Sequence, residues 1–269
     1  QIIDVPGVGK SPLEFWVVAQ WECDPTRHWI EILKVLLEYG ADPNESFLGQ
    51  SILHRLMERS QFESPEESVT REPDTRTMQS ALEVLLDDGA DQFVLASKSG
   101  DLPLTVLLKN DSYLDPFTLS TLFISNAVLK NRVSDLFIGT PLGPDDDDFF
   151  MLGCGVLHAA ILQMRKTLTS NNGTVGDNGA LLQLLLRVAP KPLPELHHYW
   201  AGKTPLMAAV AKGSAAAVNA IVGHDATTLE DRMEGEETVL MSAVRFGFVE
   251  VVKTLIIKGA DITARNKRG

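Results

Sequence analysis

Apolar residues in "IEILKVLLEYG" recur at Ile30, Leu33, Leu36 and Leu37, the spacing of a single stripe along one α-helix. The stripe stops at Gly40, where a helix end favours a residue that can turn left-handed. The same ending recurs. It reads "ILKVLLEYGADPN" over Ile32–Asn44, "ALEVLLDDGADQF" over Ala81–Phe93 and "VVKTLIIKGADIT" over Val251–Thr263, with Gly89 and Gly259 taking the place of Gly40. A second, shorter pattern opens the helix that comes before. It appears as Ser11-Pro12-Leu13-Glu14, Ser51-Ile52-Leu53-His54, Leu102-Pro103-Leu104-Thr105, Gly155-Val156-Leu157-His158, Thr204-Pro205-Leu206-Met207 and Thr238-Val239-Leu240-Met241. Pro12, Pro103 and Pro205 fall in a first helical turn, where a missing N–H costs nothing. Each opening precedes one ending, and "ALLQLLLRVAP" (Ala180–Pro190) closes the fourth unit. The last two units align residue by residue at an offset of 34, from Thr204 to Thr238 and from Val218 to Val252.

A two-helix unit of this kind cannot cover its own apolar face, so neighbours must stack and build a continuous core. In its openings and endings the sequence resembles the ankyrin-repeat family, whose motif runs roughly G-x-T-P-L-H-x-A-A and then V-x-x-L-L-x-x-G-A-D. The resemblance spans nearly the whole chain, tightly in units five and six and loosely in units three and four. It implies an all-α solenoid of stacked helix-turn-helix units with short β-hairpin fingers. The units are expected at 1–44, 45–93, 94–136, 137–198, 199–232 and 233–265, with 266–269 opening a seventh. Inserts near Gln61–Thr77, Phe137–Phe149 and Thr167–Gly179 stretch units two to four beyond the family's period of about 33 residues.

One stretch competes with this pattern. "VPGVGKSPLEF", Val5 to Phe15, contains Gly9-Lys10-Ser11, which is how a phosphate-binding loop ends. That loop needs G-x-x-x-x-G-K-[ST] between a strand and a helix. Its first glycine would fall at Asp4, a carboxylate where phosphate must approach, and Pro12 directly follows the serine. Ser11 instead opens the first unit.

Composition narrows the class. Apolar residues make up 44% of the 269 positions but aromatics only 7%, so aliphatic side chains and alanine build the core. No apolar run approaches the roughly 18–20 residues that cross a bilayer, and Gln1–Lys10 carries no export signal. Membrane insertion is therefore not expected. The chain starts without an initiator methionine, so a fragment or a processed chain is expected. The closing "NKRG" stops before another opening, so a further repeat or a cap is expected after it, with the stripe near Val251, Leu255 and Ile256 partly exposed. Cys23 and Cys154 describe neither a disulfide framework nor a metal cage, which fits a reducing compartment: the cytoplasm, with the nucleus also compatible. The sequons at Asn44, Asn110 and Asn172 are then coincidental. A net charge of −12 argues against a nucleic-acid backbone and favours basic or neutral protein partners.

Few residues look chemical. His54 and His158 stand fourth in their openings, and the family resemblance implies that they bond backbone between adjacent fingers. His197-His198 lacks an acidic or cysteine partner at ligand spacing and reads as solvent-facing loop. Cys154 precedes His158 by four residues, but no third group orients that histidine. The run Asp145, Asp146, Asp147 and Asp148 reads as a solvated insert loop, with a contact surface for a Lys/Arg-rich peptide as the sharper alternative, anchored by Phe149 and Phe150. Calcium would need spaced ligands and a glycine turn, which are absent there. The inserts at Phe62–Thr75, with Ser64-Pro65, and at Thr169–Ala180 have the composition of surface loops.

The resemblance implies a cupped shape with fingers and first helices lining the concave side. It places partner contacts at Trp200, Lys203 and Lys212 in unit five and at Glu237, Arg245 and Phe246 in unit six. Lys109 and Asn110 follow in unit three, and Glu58 and Arg59 in unit two. The expected function is protein–protein recognition by a regulatory or scaffolding module of a larger chain, without catalysis or cofactor. One alternative is an enzyme whose inserts build a pocket around Cys154 and His158. Another is a module that restrains an effector domain of the same chain.

Overall fold

The computed structural model describes residues 11–19, 28–58, 75–97, 99–109, 115–137, 155–164, 179–197 and 202–267. The first six α-helices are α1 (Pro12–Ala19), α2 (Trp29–Glu38), α3 (Ile52–Glu58), α4 (Thr75–Asp87), α5 (Pro103–Lys109) and α6 (Pro116–Leu129). The next six are α7 (Val156–Gln163), α8 (Ala180–Val188), α9 (Pro205–Ala211), α10 (Ala215–His224), α11 (Val239–Phe246) and α12 (Val249–Ile257). Odd-numbered helices pack in one row, each against the next, and even-numbered helices pack in a second row alongside. The core consequently runs the length of the chain, from Leu13 through Leu82, Phe123, Leu157 and Ile221 to Leu255. The architecture is an all-α solenoid.

In α2 the apolar stripe buries Leu33 and Leu37 together with Trp29, while Ile30 and Leu36 pack half-buried against the same core. Trp16 of α1 stacks on Trp29 with ring centroids 4.3 Å apart and donates from Nε1 to the Trp29 carbonyl at 2.9 Å. That contact fixes how the first two helices meet.

The glycine endings close by one mechanism. Gly40 adopts φ +90° and Gly89 φ +96°. After the first, the Gly40 N–H reaches the Leu37 carbonyl and the Ala41 N–H reaches the Leu36 carbonyl, each at 2.9 Å. After the second, Gly89 pairs with Leu86 at 3.3 Å and Ala90 with Leu85 at 2.9 Å. These two bonds satisfy carbonyls that a helix end otherwise leaves bare, and they require a left-handed residue. The third unit differs. There Asn131, at φ +53°, does the same work, with Arg132 N–H to Ala127 carbonyl at 2.9 Å.

The fingers are less regular than the family pattern implies. One two-stranded hairpin is formed, β1 (Ser46–Phe47) against β2 (Gln50–Ser51), and one isolated bridge joins Arg232 to Thr238, among the described residues. The inserts also shift at their edges. Helix α4 begins at Thr75, inside the first insert, and Phe137 is buried in a 3₁₀ turn (Val133–Phe137) that packs on α6 and α7. Burying the Leu136–Phe137 pair holds that turn to the solenoid, so the second insert starts after it. The rest of the first two inserts and residues 167–178 of the third lie outside the described residues. At the far end Val251 and Leu255 are buried and only Ile256 of the expected stripe is exposed, because the first two face the α10–α11 side of the stack.

Replacing Gly89 by Ala keeps every apolar contact but forces a Cβ into left-handed backbone. Equilibrium urea unfolding is expected to show a loss of about 1–2 kcal/mol for Gly89→Ala, with an unchanged helical circular dichroism spectrum. No loss would show that the closure does not constrain the fold.

Candidate functional site

His54, on α3, is fully buried and joins two fingers. The Ser51 hydroxyl and amide both point at its Nδ1, at 2.7 and 3.2 Å, so Nδ1 accepts and Nε2 carries the proton. Nε2 donates to the Asp101 carbonyl at 2.9 Å, 47 residues further on. His158 on α7 makes the equivalent bond, from Nε2 to the Lys203 carbonyl at 2.8 Å. Both histidines therefore do what the family resemblance implied. Burial lowers the pKa of His54 below the ordinary 6.5, against the opposing pull of the Asp101 carbonyl and of the Asp101 and Glu58 charges.

Asp101 is the surprise beside this bond. It is buried, and its Oδ2 pairs with Lys109 Nζ at 2.8 Å. Lys109, nominated for partner contact, therefore spends its charge on a carboxylate of its own finger. Glu58 lies 4.0 Å from Arg55 on α3, at the surface. Lys203 is exposed just ahead of α9, and Lys212 is half-buried at the end of that helix.

In the last unit three nominated side chains meet. Arg245, on α11, lies 3.4 Å from the Glu237 carboxylate and 5.1 Å from the centre of the Phe246 ring. Phe246 also tilts against Phe248 at 5.7 Å and stays 47% exposed. The Glu237 carboxylate and the aromatic face together preset where the guanidinium points. Trp200, Asn110, Arg59, Cys154, His198 and the run Asp145–Asp148 lie outside the described residues, as do Cys23, Asn172, Ser64 and the stretch up to Lys10.

His197 faces solvent on a 3₁₀ turn, as its sequence suggested, but it does not stand alone. Its Nδ1 is 2.8 Å from Asp231 and its Nε2 is 3.2 Å from the Thr227 hydroxyl, so it links the connections on either side of α9 and α10. Asp231 sits 34 residues on, one unit away, which hid it from a search at ligand spacing. Nearby, the Thr227 hydroxyl and amide hold the Asp225 carboxyl below its usual range. Asn44, a sequon, accepts from the Asp91 N–H at 2.7 Å and donates to the Gly89 carbonyl at 3.2 Å. Its amide ties the first ending to the second. Glu195 was not singled out by any sequence pattern, yet it is buried on the 3₁₀ turn Pro194–His197 against α7. Among the described residues no group of His, Cys, Asp and Glu is arranged to hold a metal ion, and no helix is long and apolar enough to cross a membrane.

A family model described as ankyrin repeats, three copies, matches residues 174–266. Over that stretch the chain carries ankyrin repeats. The solved ankyrin-repeat domain of Bcl-3, described as a unique member of the IκB protein family, matches 97% of this chain and 91% of its own at 19% identity, with a TM-score of 0.57. The human ASB11 ankyrin-repeat domain matches 97% of this chain and 89% of its own at 17% identity, with a TM-score of 0.53. At these identities the likeness is one of fold. No curated protein matches the sequence. Ankyrin repeats are in general protein–protein interaction modules.

The His54 bond generates a pH prediction. The folded chain holds His54 neutral, whereas the unfolded chain protonates it near 6.5. Below that pH the unfolded state binds more protons, so this contribution to stability is complete above 6.5 and is lost as pH falls. Truncating the ring in His54→Ala strands the Ser51 donors and the Asp101 carbonyl, for an expected cost of about 1–3 kcal/mol at neutral pH. Urea melts of both forms across the acid range are expected to show a shallower acid loss in the variant. Parallel curves would overturn the assignment.

Proposed function

We infer that this chain recognises a partner protein or peptide along the edge built by its fingers and odd-numbered helices, as a regulatory or scaffolding part of a larger protein in the cytoplasm. The cluster at Arg245 carries the inference. A guanidinium held by Glu237 and laid near Phe246 is already ordered, so a partner that covers it loses little rotamer freedom. Arg and aromatic side chains contribute most when desolvated at the centre of an interface. Phe246 leaves about half of its surface for that purpose.

Lys203, Lys212, Lys109 and Glu58 extend the contact edge along the same row of helices, with Trp200, Asn110 and Arg59 assigned by position. Because the row is packed throughout, binding needs little backbone change. The net charge of −12 favours a basic partner, with Asp145–Asp148 as a second contact. No role is assigned to a cofactor or to catalysis.

The test compares the wild-type chain with an Arg245→Ala/Phe246→Ala double variant, each immobilised and exposed to extract, with titration of any protein retained. Loss of at least about tenfold in affinity, with an unchanged melting curve, is expected for a hot-spot pair. Retention of the same proteins with equal affinity would sink the assignment of this edge.

A further inference from the structure

The first helices of three of the six units, α1, α9 and α11, are capped by hydroxyl groups. Ser11 Oγ accepts from the Glu14 N–H at 3.0 Å, Thr204 Oγ1 from Met207 at 3.4 Å, and Thr238 Oγ1 from Met241 at 3.2 Å. At α7 the same position is Gly155, which has no side chain to offer. The acceptor there comes from 38 residues downstream: Glu195 Oε1 takes the Leu157 N–H at 3.2 Å. A Cβ on Gly155 would stand 2.2 Å from that oxygen, so the glycine and the glutamate fit only as a pair. Glu195 is 4% exposed, and its second oxygen, Oε2, is buried without a hydrogen-bond partner among the described residues.

We propose that Glu195 is a proton-gated latch between α7 and the turn leading to α9, closed while its carboxyl is protonated and released when it ionises. A hydroxyl cap is indifferent to pH; a carboxyl cap is not. A buried carboxylate with one donor and one bare oxygen is poorly solvated, so the closed geometry selects the neutral acid. Burial pushes the Glu195 pKa up to about 8, against the pull of the Leu157 N–H. The ionisable groups on the surrounding elements are His158 on α7, Arg187 on α8, Lys203 ahead of α9, His197 on its own turn, Lys109 on α5, which pairs with Asp101, and Asp135 on the Val133–Phe137 turn, which pairs with Arg132; α9 carries none. His158 bonds the Lys203 carbonyl, and His197 is engaged by Asp231. None of these is an ion-pair partner of Glu195, so among the described residues the proton is its means of neutralisation.

The direction of the switch follows from linkage. Released into water, the carboxyl returns to its ordinary value of 4.5, while the closed form keeps its proton until about 8. Between those values opening sheds a proton, so the opening constant rises about tenfold per pH unit and then levels off. Above the upper value the latch is at its weakest, and it tightens as pH falls.

Amide hydrogen exchange at Leu157 reads the latch directly. Glu195→Gln keeps the acceptor for Leu157 and cannot ionise, so dividing wild-type exchange by that of E195Q at each pH removes the intrinsic pH dependence of exchange. The ratio is expected to climb about tenfold per unit between about pH 5.5 and about 7.5. A flat ratio would overturn the proposal, as would a carbon-13 titration that places the Glu195 carboxyl in the ordinary range. Gly155→Ala evicts the carboxyl and is expected to lower Leu157 protection at every pH without a titration step. A step that survives in G155A would also overturn it. None of these readouts depends on a binding partner.

Discussion

No helix pair in this chain can close its own apolar face, and the rest of the structure is the consequence. Position-matched residues one unit apart make the point. Val222 on α10 is 4% exposed, whereas Ile256, 34 residues on in α12, is 47% exposed. Val210 on α9 is fully buried, whereas Val244 on α11 is 61% exposed. The residue types and helices are alike; the difference is whether a further layer covers them among the described residues. Burying one such side chain is worth about 1.5–3 kcal/mol, so stability resides in the interfaces between layers more than in any layer itself.

Stacking layers also buries backbone groups, and these set the second constraint. Each joint must satisfy N–H and C=O groups with side chains that are inexpensive to bury. Neutral solutions dominate: a serine or threonine hydroxyl at the helix start, and a histidine reaching the next finger's carbonyl. Two carboxylates depart from this. Asp101 has Lys109 at 2.8 Å and is compensated as an ion pair. Among the described residues Glu195 has the Leu157 amide and no cation, and burial there favours the protonated acid. The two sites show the alternatives for a carboxyl at such a joint, and the presence of a nearby cation separates them.

What was legible in the sequence follows from the same physics. Gly40 and Gly89 stand out because left-handed backbone demands them, and the apolar spacing of α2 and α4 because burial demands it. The third ending was obscure. Asn131 performs the glycine's task there, and α6, "PFTLSTLFISNAVL", is too uniformly apolar to show a clear face. Glu195 was invisible because the Leu157 amide it accepts lies 38 residues away, and the cap position it fills is Gly155, a residue with no chemistry to search for. Lys109 was nominated by position alone, and its pairing with Asp101, eight residues earlier, depends on how the finger folds back. Position did lead to Arg245, Phe246 and Glu237, but not to the contacts that make them one cluster.

The division of labour between fixed and variable positions bears on function. Across the 34-residue offset the buried pairs Leu206/Leu240, Ala209/Ala243 and Ile221/Leu255 stay nearly the same, because each must fill a matching gap. At the finger and helix end the pairs are Lys203/Glu237, Ala211/Arg245 and Lys212/Phe246, which differ in charge, size and polarity. These ends lie beside the packed row without being part of its core. A change there alters what the edge presents while leaving the layers in register. A solenoid built this way separates the residues that hold it together from those its edge presents, so a change at Arg245 need not loosen the stack that positions it.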